Sequence, residues 1–276
     1  VVGDGGLTAA VDAYGDVVDL RAPGPAGRAL IDNPAARQIA GSVPAGTGIV
    51  PRVRIGDGAA LPMWRANSVS QRYLVGTNVL RTVARFGHVK VVMTDAAVGE
   101  GLALVVRAKG PPGRPVRLRV GIHLLDGQRM HCAQGGHPAR LAVVCATGRS
   151  ELRDEVRRGL IRGSIVGNAG HVIRAAGVAD RRWLDRARPL GATAPRWARA
   201  MYRRSLLTLR ALTDRRTGAV AAGARDDWAY VWPRDAATVA LALDSSGYRG
   251  EARRIVRLLL TLDLDAAARF NGNGEP

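Results

Sequence analysis

Lysine is almost missing from this chain. Of 41 basic residues in 276, only Lys90 and Lys109 are lysines, and the excess over 23 acidic residues leaves a formal charge of +18. Aromatics make up 4% of the sequence, so any cluster of them stands out. No uncharged apolar run reaches the length of about eighteen residues that a membrane-spanning helix needs, so no membrane partner is expected. No basic start followed by an apolar run is present, so no signal peptide is read in the residues given, and the compartment stays open. Only two cysteines occur, Cys132 and Cys145. They make no Cys-x-x-Cys spacing, and no second pair is present to close a zinc site. The expectation is two ordinary thiols, with a strand-pairing disulfide as the alternative for a secreted protein. His131 and His137 flank Cys132, but no metal and no other cofactor is expected.

The positive charge invites a nucleic-acid reading. Its distribution argues against one. Arginine stands where lysine would, in a chain rich in Ala and Gly, as a GC-rich genome would produce. No run of five or six like charges occurs. The densest groups, Arg181-Arg182 and Arg203-Arg204, read as solvated helix faces. No nucleic-acid partner is expected, and a basic nucleic-acid binder is kept only as a remote alternative.

What is present is a change of pattern along the chain. Up to about residue 177 short apolar strands are punctuated by Gly and Pro. Leu7 to Asp12 and Asp16 to Leu20 flank the turn Ala13-Tyr14-Gly15 as a hairpin. Asn78 to Phe86 and His88 to Met93 make a second. Leu102 to Arg107, Val116 to Leu124, Leu141 to Ala146 and His171 to Ala175 are further strands. Many short strands with turn signals predict an antiparallel β-sandwich over 1–177. Residues 178–194 read as a linker, with a short helix from Ala179 to Arg188.

Helical spacing takes over from 195. Thr193 or Ala194 before Pro195 is an N-terminal signal, and Trp197, Met201, Leu209 and Leu212 place helix one at 195–213, with Leu206 beside that face. A Gly-rich loop covers 214–233. Helix two opens at Asp235 and is apolar nearly all round, as expected of a fully buried helix. Helix three runs from Arg249 to Asp263 on Ile255, Leu258, Leu259 and Leu262. Three helices are too few to bury helix two, so the chain is expected to be truncated.

Trp228-Ala-Tyr-Val-Trp-Pro-Arg-Asp235 is the segment that carries chemistry. Two of the five tryptophans lie in it, with Tyr230 between them. Pro233 fixes the backbone approach, and Asp235 stands where a carboxylate favours a helix N-terminus. Aromatic faces cover the C–H faces of a pyranose, while an adjacent Arg and Asp offer donors and acceptors to its hydroxyls. Hydrogen bonds to charged groups are worth about 1.5–3 kcal/mol when desolvated. The plainer reading is a capping Asp, an internally paired Arg and two core tryptophans. The set at this spacing favours a sugar subsite.

The segment resembles family 15 glycoside hydrolases, the glucoamylase type. So do Thr213-Asp-x3-Gly-Ala-Val220, Gly247-Tyr-x2-Glu-Ala252 and the opening Gly3-Asp-Gly with Asp12-Ala-Tyr-Gly-Asp-Val-Val-Asp19. The resemblance implies a β-supersandwich followed by an (α/α)6 barrel, of which 195–276 would be the start. It implies inverting release of glucose from α-glucans or α-glucosides. By motif, Arg234 and Asp235 correspond to residues that bind the terminal glucose, and Trp232 to an aromatic beside them. Tyr230 and Trp228 match less closely. Inversion needs two carboxyl groups roughly 6.5–9.5 Å apart, and the family's glutamates come from later hairpins. Asp226, Asp227 and Glu275 lie in loops here and Glu251 begins a helix, so no catalytic residue is expected before Pro276 and the chain alone is expected to be inactive. A non-catalytic carbohydrate-binding remnant is the alternative. Substrate linkage (α-1,4, α-1,6 or trehalose), oligomeric state and calcium binding are not indicated.

Overall fold

The structure, a computed structural model, describes residues 1–32, 48–125, 130–147, 165–224 and 228–276. Its strands, in chain order, are β1 (Val2–Gly3), β2 (Thr8–Val11), β3 (Val17–Ala22), β4 (Arg28–Asp32), β5 (Gly48–Ile55), β6 (Leu61–Pro62) and β7 (Ser68–Tyr73). They continue as β8 (Leu80–Phe86), β9 (Val89–Val98), β10 (Gly101–Lys109), β11 (Val116–His123), β12 (His131–His137) and β13 (Arg140–Ala146). Four helices follow: α1 (Ile165–Leu184), α2 (Arg196–Ala211), α3 (Pro233–Ser245) and α4 (Arg249–Leu259).

Both expected hairpins form, β2 with β3 and β8 with β9. The strands assemble into two antiparallel sheets. One runs β1-β2-β3-β5-β11, with β4 added to β3 and β6 to β5; the other runs β12-β13-β10-β9-β8-β7. Strand alternation decides which side chains meet between them. Val89, Val91 and Met93 of β9 and Leu102, Leu104 and Val106 of β10 face Leu20, Ile49, Val53 and Leu118 of the opposing sheet in one buried core.

The alternate residues of the second sheet are also apolar. Ala103, Val105, Ala142 and Val144 would be exposed on its outer face, and α1 covers them with Ala169 and Val172. His171 to Ala175 is therefore helix and not the expected strand. Val172 and Ile173 mimic a β-run in a short window. Over the full segment, Ala169, Val172, Ala176, Asp180, Trp183 and Leu184 are buried at intervals of three and four, the period of a helix face. Within the described residues the helix spans Ile165–Leu184 and absorbs most of the segment read as a linking helix.

Cys132 and Cys145 stand opposite each other on β12 and β13 and form a disulfide, so the expectation of two free thiols is corrected. Their spacing carries no pairing information; the hairpin register that places them side by side does. Among the described residues no group of three His, Cys, Asp or Glu side chains is arranged to hold a metal ion. No described helix is long and apolar enough to cross a membrane.

The helices form a second core. Trp183 stacks on Tyr248 with ring centroids 3.9 Å apart, and the Tyr248 hydroxyl donates to the Trp183 carbonyl at 2.9 Å. Leu206 and Leu207 of α2, Leu243 of α3 and Ile255 of α4 pack around this pair. The expected faces of helices one and two need correction. Trp197 and Met201 are exposed, and α2 buries Leu206, Leu207 and Ala211 instead. On α3 only Ala236, Ala240 and Leu243 are buried, and Leu241 is exposed.

A polar node joins the two cores. Asp180 of α1 accepts the Asn78 backbone N–H at 2.6 Å and an Arg210 guanidinium N–H at 2.5 Å. The Asn78 amide donates to the carbonyls of Gly3 and Leu207, both at 2.9 Å. Arg204 donates to the Thr77 carbonyl and the Asn78 side chain, and its guanidinium lies 3.9 Å over the Tyr73 ring. It is thus not the solvated residue expected of the Arg203-Arg204 pair. Burial pushes the Asp180 carboxyl up, while the Asn78 N–H and Arg210 oppose that shift. Removing one partner of a buried ion pair leaves the other uncompensated. Asp180→Ala is expected to cost about 3–5 kcal/mol, read as a lower urea midpoint; an unchanged midpoint refutes the node.

A second buried polar group has no such compensation. Asp16 and Asp95 are buried, and neither oxygen of either carboxyl has a hydrogen-bond partner among the described residues. Burial, then the neighbouring Asp12 carboxyl, pushes Asp16 up to about 8. Burial, then Asp16 and Asp12, also pushes Asp95 well up. A carboxyl raised in the folded state holds a proton that the unfolded chain has already released, so stability falls as pH climbs from the ordinary value of 3.8 towards about 8. Asp16→Asn is expected to raise the thermal midpoint at the upper end of that window, with the gain vanishing near the lower end. An equal gain at both ends contradicts the assignment.

Candidate functional site

The Trp228–Asp235 segment starts as an irregular strand and ends in a helix. Val231 bridges Ala221 on one side and Phe270 on the other, exchanging two backbone hydrogen bonds with Phe270 at 2.7 and 2.9 Å. Gly223 and Ala222 donate to the carbonyls of Trp228 and Tyr230 at 2.7 and 3.0 Å. Ala229 and Val231 point inward and are buried. The intervening Trp228, Tyr230 and Trp232 are left facing outward, by the alternation of extended backbone.

Trp232 then takes the N-cap position of α3, and Pro233 the first helical position, where its missing N–H costs nothing. The helix therefore opens two residues before Asp235, which sits in its first turn without making a capping hydrogen bond. A carboxylate there still gains from the helix dipole.

The upstream turn Thr213–Val220 is held by Asp214, whose Oδ1 accepts the backbone N–H groups of Arg216 and Thr217 at 2.7 and 3.1 Å. Gly218, at φ +82°, lies against the α4 backbone, where a Cβ would meet the Arg254 carbonyl carbon at 2.5 Å. The glycine of this motif is thus a packing requirement of the fold.

The five residues singled out from sequence are partly brought together. Arg234 and Asp235 form an ion pair at 3.2 Å, with side chains 83% and 41% exposed. Such exposed pairs contribute little to stability, about 0–1 kcal/mol, and both groups remain open to solvent. Trp228 and Trp232 stack at 6.4 Å between centroids, and Trp228 is 63% exposed. The Trp232 indole Nε1 is buried without a hydrogen-bond partner among the described residues. Tyr230 is set apart: Arg269 lies 4.5 Å over its ring, and it lines a separate cleft with sandwich residues. The plainer reading of the segment as capping Asp, internally paired Arg and two core tryptophans is met in part: Arg234 is paired with Asp235 and the Trp232 indole Nε1 is buried, while Asp235 makes no cap bond among the described residues and Trp228 is exposed. Asp226 and Asp227 lie outside the described residues.

Glu251 and Glu275 are held elsewhere. Arg186 donates to Glu251 at 2.7 Å, and Arg254 lies 4.0 Å away. Burial raises the Glu251 carboxyl, but the Arg186 hydrogen bond and charge outweigh it and hold it below the usual range. Hydrogen bonds from Asn273 and Asn271 lower Glu275 as well. A glycosidase general acid needs the opposite shift.

Residues 196–264 match the family model of glycosyl hydrolases family 15. The matched stretch runs from α2 to just beyond α4 and contains the whole Trp228–Asp235 segment. Residues 196–264 are thus a family 15-like segment, as its motifs suggested, in a chain that also carries two antiparallel sheets. A comparison with curated proteins finds no match.

Sequence reasoning missed the residues that orient this family 15-like segment, namely Asn78, Asp180 and Arg210. Asp180 alone left a signal, a carboxylate in the middle of an apolar helical face. If Val231 is structural and Trp228 is not, Val231→Ala should cost about 2 kcal/mol by cavity formation. Trp228→Ala should stay within about 0.5 kcal/mol. Chemical denaturation of the two variants decides, and comparable losses would contradict the division.

Proposed function

We propose that this chain carries the sugar-gripping part of a glucoamylase-type glycoside hydrolase acting on terminal α-glucosidic bonds with inversion. The observation that carries this reading is the open Arg234–Asp235 pair at the head of α3, directly after the Trp228–Trp232 stack. Arg234 donates to ring hydroxyls, Asp235 accepts from them, and Trp232 supplies an apolar wall; Trp228 extends it and Tyr230 stands further out. The glucoamylase-type assignment is consistent with a β-supersandwich ahead of an (α/α)6 barrel. The domain division of sandwich to 177, linker to 194 and barrel start thereafter is part of the same proposal, with α1 reaching across the first boundary.

The same chain is proposed to grip without cutting. Its general acid must hold a proton near neutral pH, and Glu251 and Glu275 are both biased towards the ionised form. The 276-residue protein should therefore release no glucose from maltose. It should still bind maltose, and Asp235→Ala should weaken that binding by about tenfold or more, the loss of one charged hydrogen bond. Calorimetric titration showing equal affinity in the variant would sink the assignment of Asp235, and glucose release by the intact chain would sink the division between grip and cut.

A further inference from the structure

A second polar cleft lies where the sandwich meets the helices. Its volume is about 450 Å³, within the range of small-ligand pockets of about 300–1,000 Å³. One wall is the β3–β4 hairpin and carries Arg28. The other combines Asp214 and Arg216 of the 213–220 turn with Tyr230 and, from the closing turn, Asn273 and Glu275. The walls are fastened to each other. Gly272 donates its N–H to the Ala26 carbonyl at 3.0 Å. Gly24, at φ +71°, packs on the Asp214 carboxylate, where a Cβ would meet Oδ2 at 2.3 Å. The cleft is therefore preformed by packing across the junction.

Its charges balance. Arg21, on the cleft floor, is committed to Asp19 at 3.1 Å. Arg28 acts on Glu275, and Arg216 shares its turn with Asp214. An anion such as phosphate would meet two carboxylates as well as the guanidinium groups. An apolar ligand would strand several charged groups without water, at a cost of about 1–3 kcal/mol for each polar group left unpaired. A polyhydroxyl ligand suits both signs, because each hydroxyl donates to a carboxylate and accepts from a guanidinium or amide. Tyr230, braced by Arg269 at 4.5 Å, adds the aromatic surface.

We propose that this junction cleft is a second saccharide site, binding a neutral oligosaccharide of α-linked glucose apart from the Arg234–Asp235 mouth. The choice of α-linked glucose rests on the sugar reading of the family 15-like segment; the separateness rests on the cleft, which Trp232, Arg234 and Asp235 do not line. Tyr230 then serves this site and not the terminal-glucose subsite.

Titration of the whole 276-residue protein with maltotetraose tests it. The expected result is two binding events. Arg216→Ala with Asn273→Ala removes one of them or weakens it about tenfold, and Asp235→Ala affects only the other. Each cleft substitution is also made singly, with circular dichroism to verify the fold. If Asp235→Ala abolishes all binding, the cleft proposal falls and the mouth survives. If the cleft variants lose all binding while Asp235→Ala binds as the parent does, the cleft stands and the mouth falls. Unchanged binding in the cleft variants, no binding by the parent, or inorganic phosphate binding in the cleft where maltotetraose does not, each overturns the proposal.

Discussion

The Asp180 carboxylate is the constraint on which the arrangement of this molecule depends. It lies in a helix that covers the outer face of one sheet, accepts a backbone N–H from the strand region at Asn78 and holds Arg210 of the next helix. Asn78 in turn reaches Gly3 and Leu207, and Thr8 donates to the Ala211 carbonyl at 3.0 Å. Directional bonds of this kind fix one relative placement of sandwich and helices, where apolar packing alone tolerates sliding. Their satisfaction is what makes the burial of so much polarity tolerable. Trp183, which stacks on Tyr248, follows Asp180 by about one turn of the same helix.

The contrast with Asp16 and Asp95 is instructive. All three carboxylates are buried. Asp180 has an arginine and an N–H, so its charge can be kept; Asp16 and Asp95 accept no hydrogen bond among the described residues, and the charges of Arg52 and of the chain's amino group offset their burial only in part. The first arrangement ties elements together, and the second makes the sandwich sensitive to proton concentration.

Much of the fold was legible because strands and helices differ in period. In the β8–β9 hairpin Leu80, Thr82, Ala84 and Phe86, then Val89, Val91 and Met93, take alternate positions on either side of the turn at Gly87, and a slip of one residue would turn them all to the other face. The error at His171 to Ala175 came from a window too short to distinguish two β-branched residues on a helix from a strand. The disulfide was hidden for another reason: two cysteines face each other only through the register of β12 on β13, which no local spacing encodes. The same holds for the node, whose members come from four distant stretches. The Trp228–Asp235 segment was legible as unusual chemistry, since scarce residues concentrate there. Its geometry was only half legible. Alternation implies a shared outward side for Trp228, Tyr230 and Trp232, yet Tyr230 is drawn off by Arg269 while the tryptophans stack.

That separation bears on what the family 15-like segment offers a sugar. An exposed ion pair of little structural worth sits beside the stacked Trp228 and Trp232 rings. A ligand that settles on that pair and those rings changes the surroundings of both tryptophans and of few other aromatic groups. The most direct measurement is the indole N–H spectrum of the isotope-labelled chain during titration with maltose, its five tryptophans assigned by substitution. The signals of Trp228 and Trp232 should move while those of Trp64, Trp183 and Trp197 hold still. Movement confined to those three, or none at all, would contradict a sugar-holding mouth at the head of α3.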